Sequence, residues 1–342
     1  MQAGLPLAAL DALLARHGQC LPVAGAAGAG LVGAGTVGGL LATGADGACD
    51  LASGRARDRL LGGAVALPDG SVAHGRGRVV KNVAGYDLPR LLCGGHDSLG
   101  VLVEATFKLE PRPARRGGCR AEFGARGLAF AAARAVLDSG LEPDFLDVLE
   151  GGESGQGAAP VALATGFRGS DARVQGQLAA LSDLLAPHEP LAVSALSADA
   201  LDALLARLDD PARHAHGERG ERVVLRLAVL PDALQALCDD AAASASRHEC
   251  ALTLDGRPGA GLLLASLAGE AEALAAAARA LLGCCRQHGA ARALAATPGA
   301  RARLGVADLW GPPPPELFLL ERVKAACDPD GVLGVAWPAG SD

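Results

Sequence analysis

The sequence predicts an α+β protein of two domains, and three observations carry that expectation. A glycine-dense first third ends in one long strand, SLGVLVEATFKLEPRP, in which apolar and polar residues alternate. A run of proline, arginine and glycine, PRPARRGG, then interrupts the chain at residues 111–118. Beyond it the order strand–helix–strand–strand–helix occurs twice, which suits an antiparallel sheet covered by helices on one face.

In chain order, residues 5–17 have the leucine and alanine spacing of an amphipathic helix, stopped by Gly18. Little helical periodicity follows between Gly25 and Gly63. AVALPDGSVAH, residues 64–74, reads as a hairpin turning at Asp69-Gly70. A short helix is expected over 87–93, because Asp87 suits the N-cap, Pro89 the first turn and Gly94 the stop. In the long strand Val101, Val103, Ala105, Phe107 and Leu109 share one face, and Leu102, Glu104, Thr106 and Lys108 the other. Pro111 and Pro113 end it, and the next residues read as a linker. Past residue 115, strands are expected at CRAEFG, DFLDVLE, PVALATGFRG, RVVLRLAVL, ECALTLDG, GLLLASLAG and ARALAATP. Helices are expected near 126–138, 171–186, 198–208, 231–245 and 269–288.

Composition narrows the possible functions. The 342 residues suffice for two domains; half are apolar but only 3 % aromatic, so the core must be mostly Ala, Leu and Val. A net charge of −7 argues against nucleic acid as the main partner. No run of about 18 uncharged apolar residues suggests a transmembrane segment, and the first residues lack the basic region of a signal peptide. Nine cysteines, odd in number and without a CxxC pair, read as reduced core thiols of a cytosolic protein. Cys284 and Cys285 are adjacent and would point to different helix faces. No metal or iron–sulfur ligand set is apparent; His214 and His216 beside Arg213 read as a solvated loop.

Two glycine runs compete as ligand sites. Gly28, Gly30 and Gly33 match GxGxxG, with Asp50 downstream. A nicotinamide fold needs a firm strand before that run and a helix after it. Here the strand would contain Pro22, and Gly35, Gly38, Gly39 and Gly44 would interrupt the helix. Among 47 glycines this match is expected by chance. The second run, Gly35-Thr-Val-Gly-Gly-Leu-Leu-Ala-Thr43, places small hydroxyl residues beside paired glycines. Such a turn lets backbone amides approach a ligand closely, although composition alone favours a loop without a ligand. The segment Lys81-Asn-Val-Ala-Gly-Tyr-Asp87 holds the chain's one tyrosine with a cation, an amide and a carboxylate.

Together, TVGG, the Arg57-Asp58 pair, the hairpin, VKNVAGYD and LGV–E–T–KL–P resemble the second half of the FAD domain of vanillyl-alcohol-oxidase-like (PCMH-type) flavoproteins. Their nearest likeness is the branch of glycolate oxidase FAD-binding subunits. Near the C-terminus Val306-Ala-Asp-Leu-Trp-Gly-Pro-Pro-Pro-Pro315, followed by LLERVKAACDPDGVL, resembles the same branch. The resemblance covers residues 5–114 and 300–333. It implies a partial FAD-binding domain over 1–114, a ferredoxin-like α+β cap over 115–299, and a segment over 300–342 returning to the FAD domain.

The resemblance also implies that FAD lies along Gly35, Thr36, Val37, Gly38, Gly39 and Thr43, with Gly100 and Val101 near the adenine. It assigns no catalytic residue; His96 beside this stretch is more often structural in such a loop. Relatives begin with a βαβ subdomain whose loop wraps the FAD pyrophosphate, so the chain reads as N-terminally truncated. It also departs from them at Asp50 and Ser53, at Asp97 where glycine is usual, and after DPDGVL. The expected function is an FAD-binding subunit of a glycolate (2-hydroxy-acid) oxidase complex. Its partners would be a catalytic flavoprotein subunit and an iron–sulfur subunit. Its location would be the cytoplasm, or the inner-membrane periphery through those partners. The alternative is a scaffold subunit that no longer binds FAD.

Overall fold

A computed structural model describes residues 1–23, 35–45, 47–75, 77, 79, 87–151, 160–209, 220–286, 289–311 and 315–334. The chain divides into two units, residues 1–112 with 313–342, and residues 113–312. Residues 300–312, which the sequence groups with the returning segment, therefore fall in the second unit.

In the first unit, α1 (Leu7–Ala15) buries Leu7, Leu10 and Leu14, one turn apart along one face, and Gly18 follows with φ of 63°. Next come β1 (Gln19–Cys20), α2 (Val37–Thr43), α3 (Asp50–Ser53) and α4 (Ala56–Arg59). The hairpin is present as β2 (Leu60–Ala66) and β3 (Val72–Gly75). At its turn the Asp69 carboxylate accepts the Ser71 N–H and hydroxyl, and Gly70 takes φ of 81°. In α5 (Leu88–Leu91), Asp87 is the N-cap, accepting from the Arg90 N–H, with Pro89 in the first turn. The long strand is β4 (Val101–Phe107), which pairs antiparallel with β2; β5 (Glu110–Pro111) pairs with β1.

The simple alternation expected along β4 breaks in its middle. Leu102, Ala105 and Phe107 are buried while Val101 and Val103 are exposed. Adjacent residues Ala64 and Val65 of β2 face Glu104 and Leu102, so Val103 is the extra residue of a bulge. A bulge inserts one residue into the two-residue period and exchanges the faces on either side of it.

The second unit is an eight-stranded antiparallel sheet made of two βαββαβ repeats. The first contains β6 (Arg115–Phe123), α6 (Arg126–Asp138), β7 (Phe145–Glu150), β8 (Val161–Gly169), α7 (Asp171–Leu185) and β9 (Ala192–Leu196). After α8 (Ala198–Asp209) the second contains β10 (Glu221–Ala228), α9 (Leu234–Arg247), β11 (Ala251–Arg257), β12 (Leu262–Gly269), α10 (Ala271–Arg286) and β13 (Ala290–Ala296). The strand order β13-β10-β12-β11-β7-β8-β6-β9 puts each repeat in the ferredoxin-like order and joins the two through their second strands. The chain continues as α11 (Pro298–Arg303) and α12 (Val306–Trp310), and in the first unit as α13 (Leu317–Cys327).

Alternation decides which face of this sheet the helices cover. Val223, Leu225 and Leu227 of β10 and Leu263, Ala265 and Leu267 of β12 pack with Leu274, Ala278, Leu281 and Leu282 of α10 in one core. Cys119, Ala121 and Phe123 of β6 pack with Ala129, Ala132, Ala133 and Val136 of α6 in the other. Small alanines let these helices approach the sheet closely. Each leucine buried there contributes about 1.5–3 kcal/mol.

Candidate functional site

The candidate FAD-binding residues all lie in the first unit, around α2 and the start of β4, and α2 packs on β4. Thr36 is the N-cap of α2, its hydroxyl accepting the Gly39 N–H at 3.1 Å. Thr43 donates to the Gly39 carbonyl at 2.8 Å. At the far end Gly44 closes the helix in the left-handed region, φ 59°. Val37, Leu40 and Leu41 point into the core of this unit. Gly39 and Thr43, four residues apart on one face, remain exposed, and Gly35 is exposed beside the cap.

Much of the glycine signature is used inside the protein. The Val37 N–H donates to the Leu5 carbonyl at 3.0 Å and the Gly38 N–H to the Ala3 carbonyl at 2.7 Å, while the Leu7 N–H returns to the Gly35 carbonyl. A Cβ on Gly38 would lie 3.0 Å from the Ala3 Cβ and 3.2 Å from its carbonyl oxygen. Gly38 is thus required by the approach of residues 1–5 to α2. Three of the first N–H groups of this helix are accounted for before any ligand is considered. Gly39 differs, since a Cβ there would meet only the Thr36 hydroxyl, at 3.3 Å. The face formed by Thr36, Gly39 and Thr43 is therefore small-sided and open, and it fits the approach of a planar or chain-like group. Gly100 is buried, where a Cβ would lie 2.8 Å from Val65 Cγ1, whereas Val101 is exposed in register with Ala66.

His96 is exposed in the loop that closes the C-terminal end of α2. Its N–H donates to the Ala42 carbonyl at 2.9 Å, and the Gly94 N–H donates to the Leu41 carbonyl at 2.8 Å. His96 and Asp97 both have positive φ, 48° and 58°. Asp97 thus occupies a backbone conformation that glycine adopts without strain. Asp58 of the Arg57-Asp58 pair accepts the Arg55 N–H at 3.0 Å. Gly28, Gly30, Gly33, residues 81–86, Arg213, His214, His216 and residues 312–314 lie outside the described residues.

The C-terminal motif has a use that its sequence did not disclose. Asp328 accepts the Val332 and Leu333 N–H groups at 2.8 and 2.9 Å and pairs with Lys324. Lys324 also donates to the Ser98 carbonyl at 2.8 Å. These contacts hold its carboxyl below the ordinary range, with the Lys324 hydrogen bond as the main cause. The clasp ties α13 to the loop before β4, at a residue two positions ahead of Gly100. Asp308 of the preceding motif caps α12 through the Gly305 N–H and takes the Arg279 guanidinium.

Among the described residues no group of His, Cys, Asp or Glu could hold a metal ion, and no described helix is long and apolar enough to cross a membrane. Burial pushes the Cys238 thiol up to about 12 and the Cys93 thiol up to about 11, so neither is a ready nucleophile.

Residues 1–76 match the family described as the FAD binding domain. An uncharacterised FAD-linked oxidoreductase of Mycobacterium tuberculosis is 35 % identical over 115 residues, which is 34 % of this chain and 25 % of that protein. The glycolate oxidase subunit GlcE of Escherichia coli is 40 % identical over 110 residues, 32 % of this chain and 31 % of that subunit. A D-lactate dehydrogenase of Archaeoglobus fulgidus is 36 % identical over 110 residues, 32 % of this chain and 24 % of that enzyme. The matched segment spans between a quarter and a third of these curated relatives. Among solved structures, alkyldihydroxyacetonephosphate synthase superposes over 97 % of this chain and 62 % of its own, with a TM-score of 0.72 at 16 % identity. The likeness to that synthase is one of fold. The N-terminal region is similar to FAD-linked oxidases, and its match to the FAD binding domain supports FAD as the cofactor.

Proposed function

We propose that the first unit binds FAD and that the chain is the flavin-binding subunit of a complex oxidising a small 2-hydroxy acid, with glycolate as the first substrate to test. The observation that carries this reading is the open face of Thr36, Gly39 and Thr43, in the segment that matches the FAD-binding domain. Gly35, Thr36, Gly39 and Thr43 would line the cofactor, and the main chain of Gly100 and Val101 would meet its adenine end. Val37 and Gly38 hold that surface in place through Leu5 and Ala3. FAD supplies the hydride acceptor for oxidation at the substrate α-carbon, and the protein supplies orientation. Electrons would pass on within a complex containing a second flavoprotein subunit and an iron–sulfur subunit. That complex would work in the cytoplasm or at the inner-membrane periphery.

An absorbance scan of the purified chain, before and after addition of FAD, tests the reading. Oxidised-flavin bands should be present or be gained. Gly39→Leu, which projects from the exposed face, should weaken flavin uptake at least about tenfold, a loss of about 1.4 kcal/mol in binding, without unfolding the unit. A colourless chain that takes up no FAD would remove the proposal.

One observation favours a scaffold subunit as the second reading: the N–H groups of Val37, Gly38 and Gly39 are all taken by Leu5, Ala3 and Thr36. The scaffold would co-purify with a flavoprotein partner and stay free of flavin itself.

A further inference from the structure

The two repeats of the second unit meet along its shortest long-range ladder. Strands β7 and β11 are in register only at Leu254 with Glu150, Asp255 with Leu149 and Gly256 with Val148. By contrast, β6 and β8 match over nine pairs. Ionic clusters reinforce this seam on both sides of the sheet. On the helix side Arg126 of α6 makes a bidentate pair with Glu150 of its own repeat and reaches Asp239 of the other.

On the opposite side, where the ladder stops, Arg257 of β11 lies 3.3 Å from Asp147 of β7 and 3.5 Å from Asp255. The Arg257 guanidinium also donates to the Leu208 carbonyl at 2.7 Å. Asp147 is 1 % exposed and Arg257 5 %. Among the described residues neither carboxylate oxygen of Asp147 accepts a hydrogen bond.

Among the described residues the charge count there does not close without a proton. Among them Asp147 and Asp255 face one cation, Arg257, and Asp209 at the end of α8 adds a more distant negative charge. Two ionised carboxylates beside one guanidinium would leave a net charge in a site that water does not reach, which is costly. If Asp147 keeps its proton, the trio of Asp147, Asp255 and Arg257 is neutral, and the Asp147 hydroxyl can donate to Asp255.

We propose that a proton held on Asp147 beside Asp255 latches the two repeats together, so that the seam of this sheet loosens as pH rises. The latch is independent of flavin binding. Burial first, and Asp255 second, push the Asp147 carboxyl well above its ordinary value, with Arg257 opposing them. A carboxyl raised in the folded state stabilises most while it is protonated. Its contribution falls as pH climbs from the ordinary carboxylate range through the raised value. Because one proton is released on opening, the opening equilibrium should increase by up to about tenfold per pH unit across that window.

Hydrogen exchange of the full chain between pH 5 and 9, corrected for intrinsic exchange, reads this at peptides spanning 145–150 and 251–257. The wild type should open progressively more with rising pH. D147N should flatten that dependence, and so should D255N, which leaves Asp147 to pair with Arg257 alone. If D147N does not fold, D255N carries the test. A wild type with no pH dependence at these peptides overturns the latch. So does any folded variant that keeps the wild-type slope.

Discussion

The two units hold their shape by different means. The first is closed by specific hydrogen bonds to the backbone between distant short segments: residues 1–5 against α2, the 94–96 loop against the end of α2, and Lys324, held by Asp328, against the Ser98 carbonyl. The second rests on long antiparallel ladders over two leucine- and alanine-rich cores. Backbone contacts of the first kind restrict residue identity, because a particular glycine or aspartate is needed for each. A core of the second kind accepts many apolar residues of the right volume. This explains why the family match lies in the first unit, whereas the second is related to a solved structure by fold.

Three substitutions would break or sharpen that contrast. Leu263→Ala removes a fully buried side chain from the larger core and should cost about 2–5 kcal/mol. Urea unfolding followed through second-unit probes would measure it, and first-unit exchange should change little. Gly38→Val forces a side chain against Ala3 and should cost about 1–3 kcal/mol. Faster hydrogen exchange would be confined to residues 1–5 and α2, with β10 and β12 unaffected. A loss spread over both units would show that the two units are not held by different means. Asp97→Gly relieves a left-handed aspartate and should stabilise the first unit by up to about 1 kcal/mol, seen as a small rise in Tm.

Much of the second unit was legible in the sequence, because period-two strands and apolar helix faces report burial directly. The exception was β9. Ala192, Val193, Ser194 and Ala195 are all exposed, so no alternation marks them, and only pairing with β6 defines the strand. In β4 the bulge at Val103 displaced the face assignment, since an inserted residue leaves no trace in composition. The candidate site was legible as a motif and by family resemblance, but its hydrogen bonds were not. The acceptors for the Val37 and Gly38 amides lie some thirty residues earlier in AGL, Ala3–Leu5, which carries no signal of its own. The Asp147–Arg257 group was also hidden, because it arises only when strands from separate repeats are brought side by side.

The exposed strand β9 has a practical consequence. It forms one edge of the eight-stranded sheet, and its five residues, AVSAL, include neither a charge nor a proline. Charges, prolines and bulges are how natural sheets keep their edges from recruiting a strand of a neighbouring molecule. An edge of this kind can recruit a strand of a neighbouring molecule in concentrated protein, and a lysine placed at Val193 is the simplest protection during purification.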